Sequence, residues 1–302
     1  SDGSFLHMNP HVSVITNMEA DHLDHYGSFE AIVETFAEFI GKTDPGGVVV
    51  ACADDHGLTA LVRDRAQARV LTYGHAESAD VRCHSMEKSG MGHRFTVTFP
   101  DGASVDVSIE VPGRHMVSNA TGVLGAVWAL ELDVAGAARA LGRFSGVRRR
   151  FDRVGEVDHV TVVDDYAHHP TEVKATLAGA REAGYGRIWV VFQPHRYSRT
   201  EALGDAFGAT FEDADHVVLM DVYSAGEAPI PGVSGKTVLD ALLLSDARAQ
   251  AAYFPHRADI EGYVASRVRP GDLVMTMGAG DVTTVGPEIV RALEARVAEG
   301  RP

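Results

Sequence analysis

Ile188-Trp189-Val190-Val191-Phe192-Gln193-Pro194-His195-Arg196-Tyr197-Ser198-Arg199-Thr200 is the stretch that decides the fold class. The apolar residues Ile188–Phe192 run without polar alternation, as in a strand buried on both faces of a parallel sheet. A short polar loop and a helical pattern follow, so the repeating unit is strand, loop, helix. Val- and Ile-rich runs of the same kind stand at Val12–Thr16, Val48–Ala51, Arg69–Tyr73, Thr161–Asp164, His216–Met220 and Leu273–Met277. Helical patterns alternate with them, which predicts an α/β protein built around mostly parallel strands. The clearest helix is Ser28–Gly41, where Phe29, Ile32, Val33, Phe36, Phe39 and Ile40 form one stripe between a capping Ser28 and a terminating Gly41.

The texture changes between Val81 and Val111. Alternating segments Arg94–Phe99 and Ser104–Ile109, split by Pro100-Asp101-Gly102, predict an antiparallel hairpin. Helical patterns at Val117–Leu130 and Val134–Leu141 precede Gly142–Arg150, which holds two glycines and four arginines without a period. A domain boundary is expected near Gly146–Arg149. Residues 1–148 then form one domain and 149–302 a Rossmann-like second one of typical domain size.

The 302 residues carry 27 basic and 42 acidic side chains, a formal charge of −15, which argues against nucleic acid or an anionic membrane as partner. The longest apolar run, Val48–Ala53, is too short to cross a bilayer. Cys52 and Cys83 cannot build a disulfide framework, and reduced thiols suit a cytoplasmic protein. The chain opens Ser1-Asp2-Gly3 without an initiator Met or a signal peptide, as if cut from something longer.

Four segments could carry chemistry. Thr16-Asn17-Met18-Glu19-Ala20-Asp21-His22-Leu23-Asp24-His25 follows a strand end, where α/β proteins bind ligands. Its acids and imidazoles fit either a hard-cation site or a solvated loop ahead of a helix. Val163-Asp164-Asp165-Tyr166-Ala167-His168-His169-Pro170-Thr171-Glu172 also ends a strand. Pro170 and Glu172 read as a helix start, and the Asp and His pairs before it favour a phosphate or ribose site. Gln193–Thr200 sets Arg196 and Arg199 three apart, so one helical turn would aim both guanidinium groups at an anion. Gly146-Val147-Arg148-Arg149-Arg150-Phe151 is a basic knot suited to phosphate at the domain junction, or else a solvated linker.

Gly232-Val233-Ser234-Gly235-Lys236-Thr237 lacks the first glycine and the preceding strand of a phosphate loop, and reads as a Pro/Gly loop entering a helix. Gly278-Ala279-Gly280-Asp281 lacks the third glycine of a dinucleotide motif, and reads as a tight turn bordering the cleft.

Together these segments resemble the Mur ligase family, ATP-dependent amide-forming enzymes of peptidoglycan synthesis. The resemblance is carried by Ser1–Phe5, Thr16–Asp24, Gly113-Arg114-His115, Asn119-Ala120-Thr121, Arg149-Arg150-Phe151, Asp164–Thr171, Gln193–Thr200 and Tyr223-Ser224-Ala225-Gly226-Glu227, in the family's order. The Asp-Tyr-Ala-His-His-Pro and Pro-His-Arg-Tyr-Ser-Arg-Thr runs resemble the alanine-adding branch. The resemblance implies a truncated central ATPase domain followed by a Rossmann-like C-terminal domain. It also implies ATP and Mg²⁺, with UDP-N-acetylmuramate and L-alanine as substrates.

Carried over by residue, it makes His22, Arg150 and His168 catalytic, with His22 on the metal. Asn17, His115, Asn119, Arg149, Arg150 and Asp165 belong to the ATP site, Asp165 at the ribose and His115 and Asn119 at the adenine. Tyr166, His168, His169, His195, Arg196 and Arg199 belong to the substrate site. Met116 replaces the Asn usual after the His of the Gly-Arg-His run, and the helix Ser28–Gly41 lacks the Lys of several relatives. The family's Gly-rich phosphate loop is absent from the chain, so the isolated fragment is expected not to turn over. On the residues alone, two alternatives stand beside the ligase. One is a binuclear metal-dependent phosphohydrolase using Asp21, His22, Asp24, Asp165, His168 and His169; the other is a non-catalytic nucleotide-binding module.

Overall fold

The computed structural model describes residues 3–246 and 248–300, without the side chain of Asp24. Ser1 and Asp2 of the N-terminal motif lie outside them. The chain divides into two compact units, Ser1–Ser145 and Gly146–Pro302.

The first unit runs β1 (Val12–Ile15), α1 (Leu23–Tyr26), α2 (Phe29–Gly41), β2 (Val48–Cys52), α3 (His56–Arg65), β3 (Arg69–Gly74), β4 (Val81–Ser89), β5 (Gly92–Thr98), β6 (Ser104–Ile109), α4 (Arg114–Ala129) and α5 (Val134–Leu141). Its sheet has the order β1-β2-β3-β4-β5-β6. Strands β1 to β3 pair in parallel, and β4, β5 and β6 pair antiparallel. Strand β2, five buried residues, is the apolar centre against which Leu124 of α4 and Leu58 and Val62 of α3 pack. Each such side chain contributes roughly 1.5–3 kcal/mol by leaving water. Helix α2 begins at Ser28, whose side chain accepts from the Ala31 N–H, and buries Ile32, Ala37 and Ile40.

The second unit runs β7 (Asp152–Val157), β8 (Val160–Asp165), α6 (Pro170–Ala183), β9 (Ile188–Phe192), α7 (Tyr197–Leu203), β10 (His216–Met220), α8 (Gly235–Ser245), β11 (Ala251–Phe254), α9 (Ile260–Ala265), β12 (Leu273–Met277) and α10 (Val285–Ala298). The sheet order is β11-β10-β9-β12-β8-β7, parallel from β11 to β8 with β7 antiparallel at the edge. It is an open α/β sheet, but its last strand is inserted between its first two parallel ones instead of joining an edge. The period of two is visible in β9. Ile188, Val190 and Phe192 pack with Val173 and Leu177 of α6 and Val238 and Leu242 of α8, while Trp189 and Val191 pack with Ile260, Val264, Ile289 and Leu293 on the other face.

Because β10, β9, β12 and β8 are neighbours and parallel, the loops leaving them share the carboxyl edge of the sheet. Such an edge is where open α/β sheets bind ligands.

Candidate active site

Backbone pairing continues past the strand ends and locks these loops together. The Gln193 N–H donates to the Met277 carbonyl (3.0 Å) and the Gly278 N–H to that of Asp165 (3.1 Å). The Arg196 N–H donates to the Tyr223 carbonyl (2.8 Å), and the Tyr223 N–H to that of Pro194 (2.9 Å). His195 therefore stands beside Tyr223, their rings stacked with centroids 5.7 Å apart. Gly280 fits because it has no side chain: a Cβ there would meet Gln193 Oε1 at 2.4 Å and the Tyr223 ring at 2.6 Å.

Asp164 and Asp165, adjacent at the end of β8, point to different tasks. Asp164 is buried and accepts from Arg149 Nε (3.1 Å), Thr276 Oγ1 (2.7 Å) and Thr283 Oγ1 (2.7 Å). Arg149 also donates to the Gly278 carbonyl (2.7 Å) and lies 4.7 Å from the centre of the Tyr166 ring. It is thus the tie between β8, the loop after β12 and Tyr166.

Asp165 accepts the Phe151 N–H at one carboxylate oxygen (2.7 Å) and the Ala167 N–H at the other (2.8 Å). Both oxygens already hold backbone, so a ribose hydroxyl could use only their remaining lone pairs. The Asp165 clamp holds a turn in which Arg149 (φ 58°) and Phe151 (φ 51°) are both left-handed, a costly conformation for a Phe. Between them Arg150 is left half-exposed, 5.5 Å from the Tyr166 ring centre and 3.5 Å from Glu172 Oε1.

Helix α6 starts as the Pro170 and Glu172 spacing requires, with His169 as its cap and Glu172 completing a capping box. His169 Nδ1 accepts from the Thr171 N–H, so part of this imidazole serves the helix. His168 is buried; its Nδ1 is 2.9 Å from the Tyr166 carbonyl and 3.6 Å from Glu172 Oε2. Its ring lies edge-on to Tyr166 at 5.3 Å and 5.6 Å from His195.

Arg199 Nη1 lies 3.1 Å from His195 Nδ1. A guanidinium has no acceptor, so that nitrogen must carry the lone pair and Nε2 the proton. Burial, then His168, Arg199 and Arg196, push the His195 pKa down to about 4, against the pull of Glu227. His195 is therefore a neutral Nε2–H donor at pH 7. Being depressed, its pKa makes the stability it contributes full above the ordinary value of about 6.5 and lost as pH falls toward 4. Asp165 works the other way. Burial raises it to about 6 despite the Ala167 and Phe151 N–H groups and Arg150, so its contribution is lost as pH rises through 6.

In the first unit the candidate residues lie on two elements. After β1, Asn17 donates to Glu19 Oε1 (3.0 Å), and the Met18 N–H donates to Asp55, which also caps α3. His22 takes a left-handed conformation (φ 55°), with its Nε2 3.4 Å from Asp21 Oδ2. His115 and Asn119 are exposed one turn apart on α4, hence on one side of it. Met116, between them, is half-buried and packs on the core, which a polar Asn would serve less well.

No group of three or more His, Cys, Asp or Glu side chains among the described residues is placed to share a metal ion. The two-metal arrangement finds no such group among the described residues. Asp165 is committed to backbone, His168 and His169 to Tyr166 and α6, and the Asp24 side chain lies outside the described residues. Mg²⁺ needs less, because it takes one or two protein ligands and completes its shell with phosphate and water. The Asp21–His22 pair fits that demand, the carboxylate being the harder donor.

Asp164, expected with Asp165 at a phosphate or ribose site, instead holds loops from neighbouring strands, as do Gln193 and Glu227, which carry no individual assignment in the sequence. Residues 2–127 match the Mur ligase middle domain and residues 149–280 the Mur ligase glutamate ligase domain. Over 98% of its length the chain is 47% identical to the UDP-N-acetylmuramate–L-alanine ligase of Kineococcus radiotolerans. The chain belongs to the Mur ligase family. The protein of the same description from Desulforamulus reducens is 44% identical over 98% of this chain. The chain spans 63% and 64% of the length of these two proteins. Among solved structures, UDP-N-acetylmuramate-alanine ligase from Thermotoga maritima superposes with a TM-score of 0.76 at 26% identity, covering 97% of this chain and 62% of that one. No described helix of this Mur ligase chain is long and apolar enough to cross a membrane.

Proposed function

We propose that this chain is the catalytic and amino-acid-binding part of a cytoplasmic ligase that joins L-alanine to the carboxylate of UDP-N-acetylmuramate. The observation that carries this reading is the placement of Arg150 just before β7, His168 in the loop after β8, and His195, Arg196 and Arg199 in the loop after β9 and the start of α7, with identity to alanine ligases along nearly the whole chain.

The γ-phosphoryl group of ATP passes to the muramoyl carboxylate, giving an acyl phosphate and ADP. The alanine amine then attacks the acyl carbon, phosphate leaves with its bonding electron pair, and the amine loses a proton. Mg²⁺, when bound at Asp21 and His22, neutralises phosphate charge. Arg150, exposed on its strained turn, reaches the terminal phosphates, with Arg149 and Tyr166 fixing its base. His115 and Asn119 present polar groups to the adenine from α4, and Asn17 shapes the loop after β1. Asp165 holds the turn at the ribose end, and His169 sets the loop that carries His168.

Arg196 and Arg199 hold the alanine carboxylate. His195 donates from Nε2 and, with Nδ1 occupied by Arg199, cannot take the amine proton. His168 faces the reacting groups.

The test joins this chain to the part of the Kineococcus radiotolerans protein that it does not cover. The restored enzyme is expected to release ADP only when UDP-N-acetylmuramate and L-alanine are both present. ADP release indifferent to both substrates, or ATP binding without turnover, would contradict the ligase reading.

A further inference from the structure

Helix α7, which carries Arg199, starts without a cap of its own: Arg196 precedes it at φ 67° and offers no side-chain hydrogen bond to its first turn. The missing acceptor comes from another loop. Glu227, 29 residues further on, accepts the Ser198 N–H (3.1 Å) and the Ser198 hydroxyl (2.7 Å). The same carboxylate lies 3.8 Å from Arg196 Nη1. Its own loop is firmly set. Ala225 (φ 49°) and Gly226 (φ 90°) turn the chain back, the Glu227 N–H donates to the Ser224 carbonyl (3.0 Å), and Tyr223 is paired with His195 and Arg196. Burial pushes the Glu227 pKa up, but the Ser198 hydroxyl, the Ser198 and Tyr197 N–H groups and Arg196 outweigh it, so the group stays ionised.

We propose that Glu227 is a positioning residue for the amino-acid site: by capping α7 from across the loop and facing Arg196, it sets both arginines for the incoming carboxylate. This rests on the carboxylate role given to Arg196 and Arg199 above. Two residues flanking the start of α7 are tied by one acceptor, Ser198 through its N–H and hydroxyl and Arg196 through its charge. Without Glu227, the helix loses its first-turn acceptor and Arg196 its facing charge. The pair then no longer shares one frame. Nothing in this role requires Glu227 to touch substrate.

The experiment titrates L-alanine into the chain while ¹⁵N NMR follows the Arg196 and Arg199 Nε–H signals and the Ser198 amide. Glu227→Ala is expected to move the Ser198 amide upfield and to weaken alanine binding about fivefold, the scale of a lost helix cap. Glu227→Gln keeps an acceptor oxygen and is expected to restore binding to within about twofold. Arg196→Gln separates the two ideas. If it weakens binding while Glu227→Ala leaves binding unchanged, the positioning role is wrong and the carboxylate site stands. If Arg196→Gln also leaves binding unchanged, or the unsubstituted chain gives no saturable response, the carboxylate site fails and the positioning role fails with it.

Discussion

Replacing Asp164 by Ala is expected to destabilise the C-terminal unit by about 3–4 kcal/mol, the cost of removing one partner from a buried charge pair. Asp164 accepts from Arg149, Thr276 and Thr283, and Thr276 is fully buried. Its loss leaves the Thr276 hydroxyl with only the longer contact to the Val163 carbonyl (3.3 Å), takes the Asp164 acceptor from Thr283, and leaves a largely buried guanidinium without its counter-charge. Asp164→Asn keeps the shape and one acceptor, so it should cost less. Each unit holds one Trp, Trp128 and Trp189. In a Trp128→Phe background, Trp189 fluorescence thus reports the C-terminal unit alone. At about 2–4 °C per kcal/mol for a unit of this size, the Ala variant should melt roughly 6–16 °C lower. An unchanged melting temperature would mean that Arg149 finds another partner at no cost, and that the tie between β8 and the loop after β12 is not structural.

Arg150 should show the opposite pattern, with a large effect on rate and little on stability. Its side chain is half-exposed, and its contacts are the face of Tyr166 and the edge of Glu172. The energy is stored instead in the turn around it, where left-handed Arg149 and Phe151 are held by Asp165. Such a conformation persists because the surroundings over-determine it, and here what it presents is a guanidinium. In the restored enzyme, Arg150→Ala is expected to lower kcat by about 10²–10³, the scale for removing one donor to a transferring group. The KM for L-alanine should change little. Arg150→Lys keeps the charge without the planar fork and should recover only part of the rate. An equal rise in the KM for alanine would place Arg150 at the amino acid instead of the phosphates.

The central strands were legible because burial on both faces leaves an uninterrupted apolar run, as in Ile188–Phe192. The strands that escaped were edge or irregular ones. β4 carries a register shift between His84 and Glu87, with Ser85 left-handed, which breaks its alternation. β7 is a charged edge strand that shifts register between Arg153 and Gly155, and β11 is four half-buried residues at the other edge. The order of the second sheet, with β12 inserted between β8 and β9, has no local signature at all.

The site shows the same division. Pro170 and Glu172 announced the start of α6 because capping is a matter of three or four residues. Glu227 capping α7, Gln193 donating to Asp281 and Asp164 meeting Arg149 all depend on chain segments brought together by the sheet. Adjacent Asp164 and Asp165 look alike in sequence and separate only when the strand sends one to side chains and the other to backbone.

The measurement that bears most directly on the amino-acid site is substrate saturation of the restored enzyme carrying Arg196→Gln and Arg199→Gln, with Arg196→Gln alone as the milder variant. The KM for L-alanine is expected to rise more than about tenfold, because charge-assisted contacts to the carboxylate are lost, while the KM for ATP stays within about twofold. Unchanged alanine saturation in a folded, active variant would contradict it.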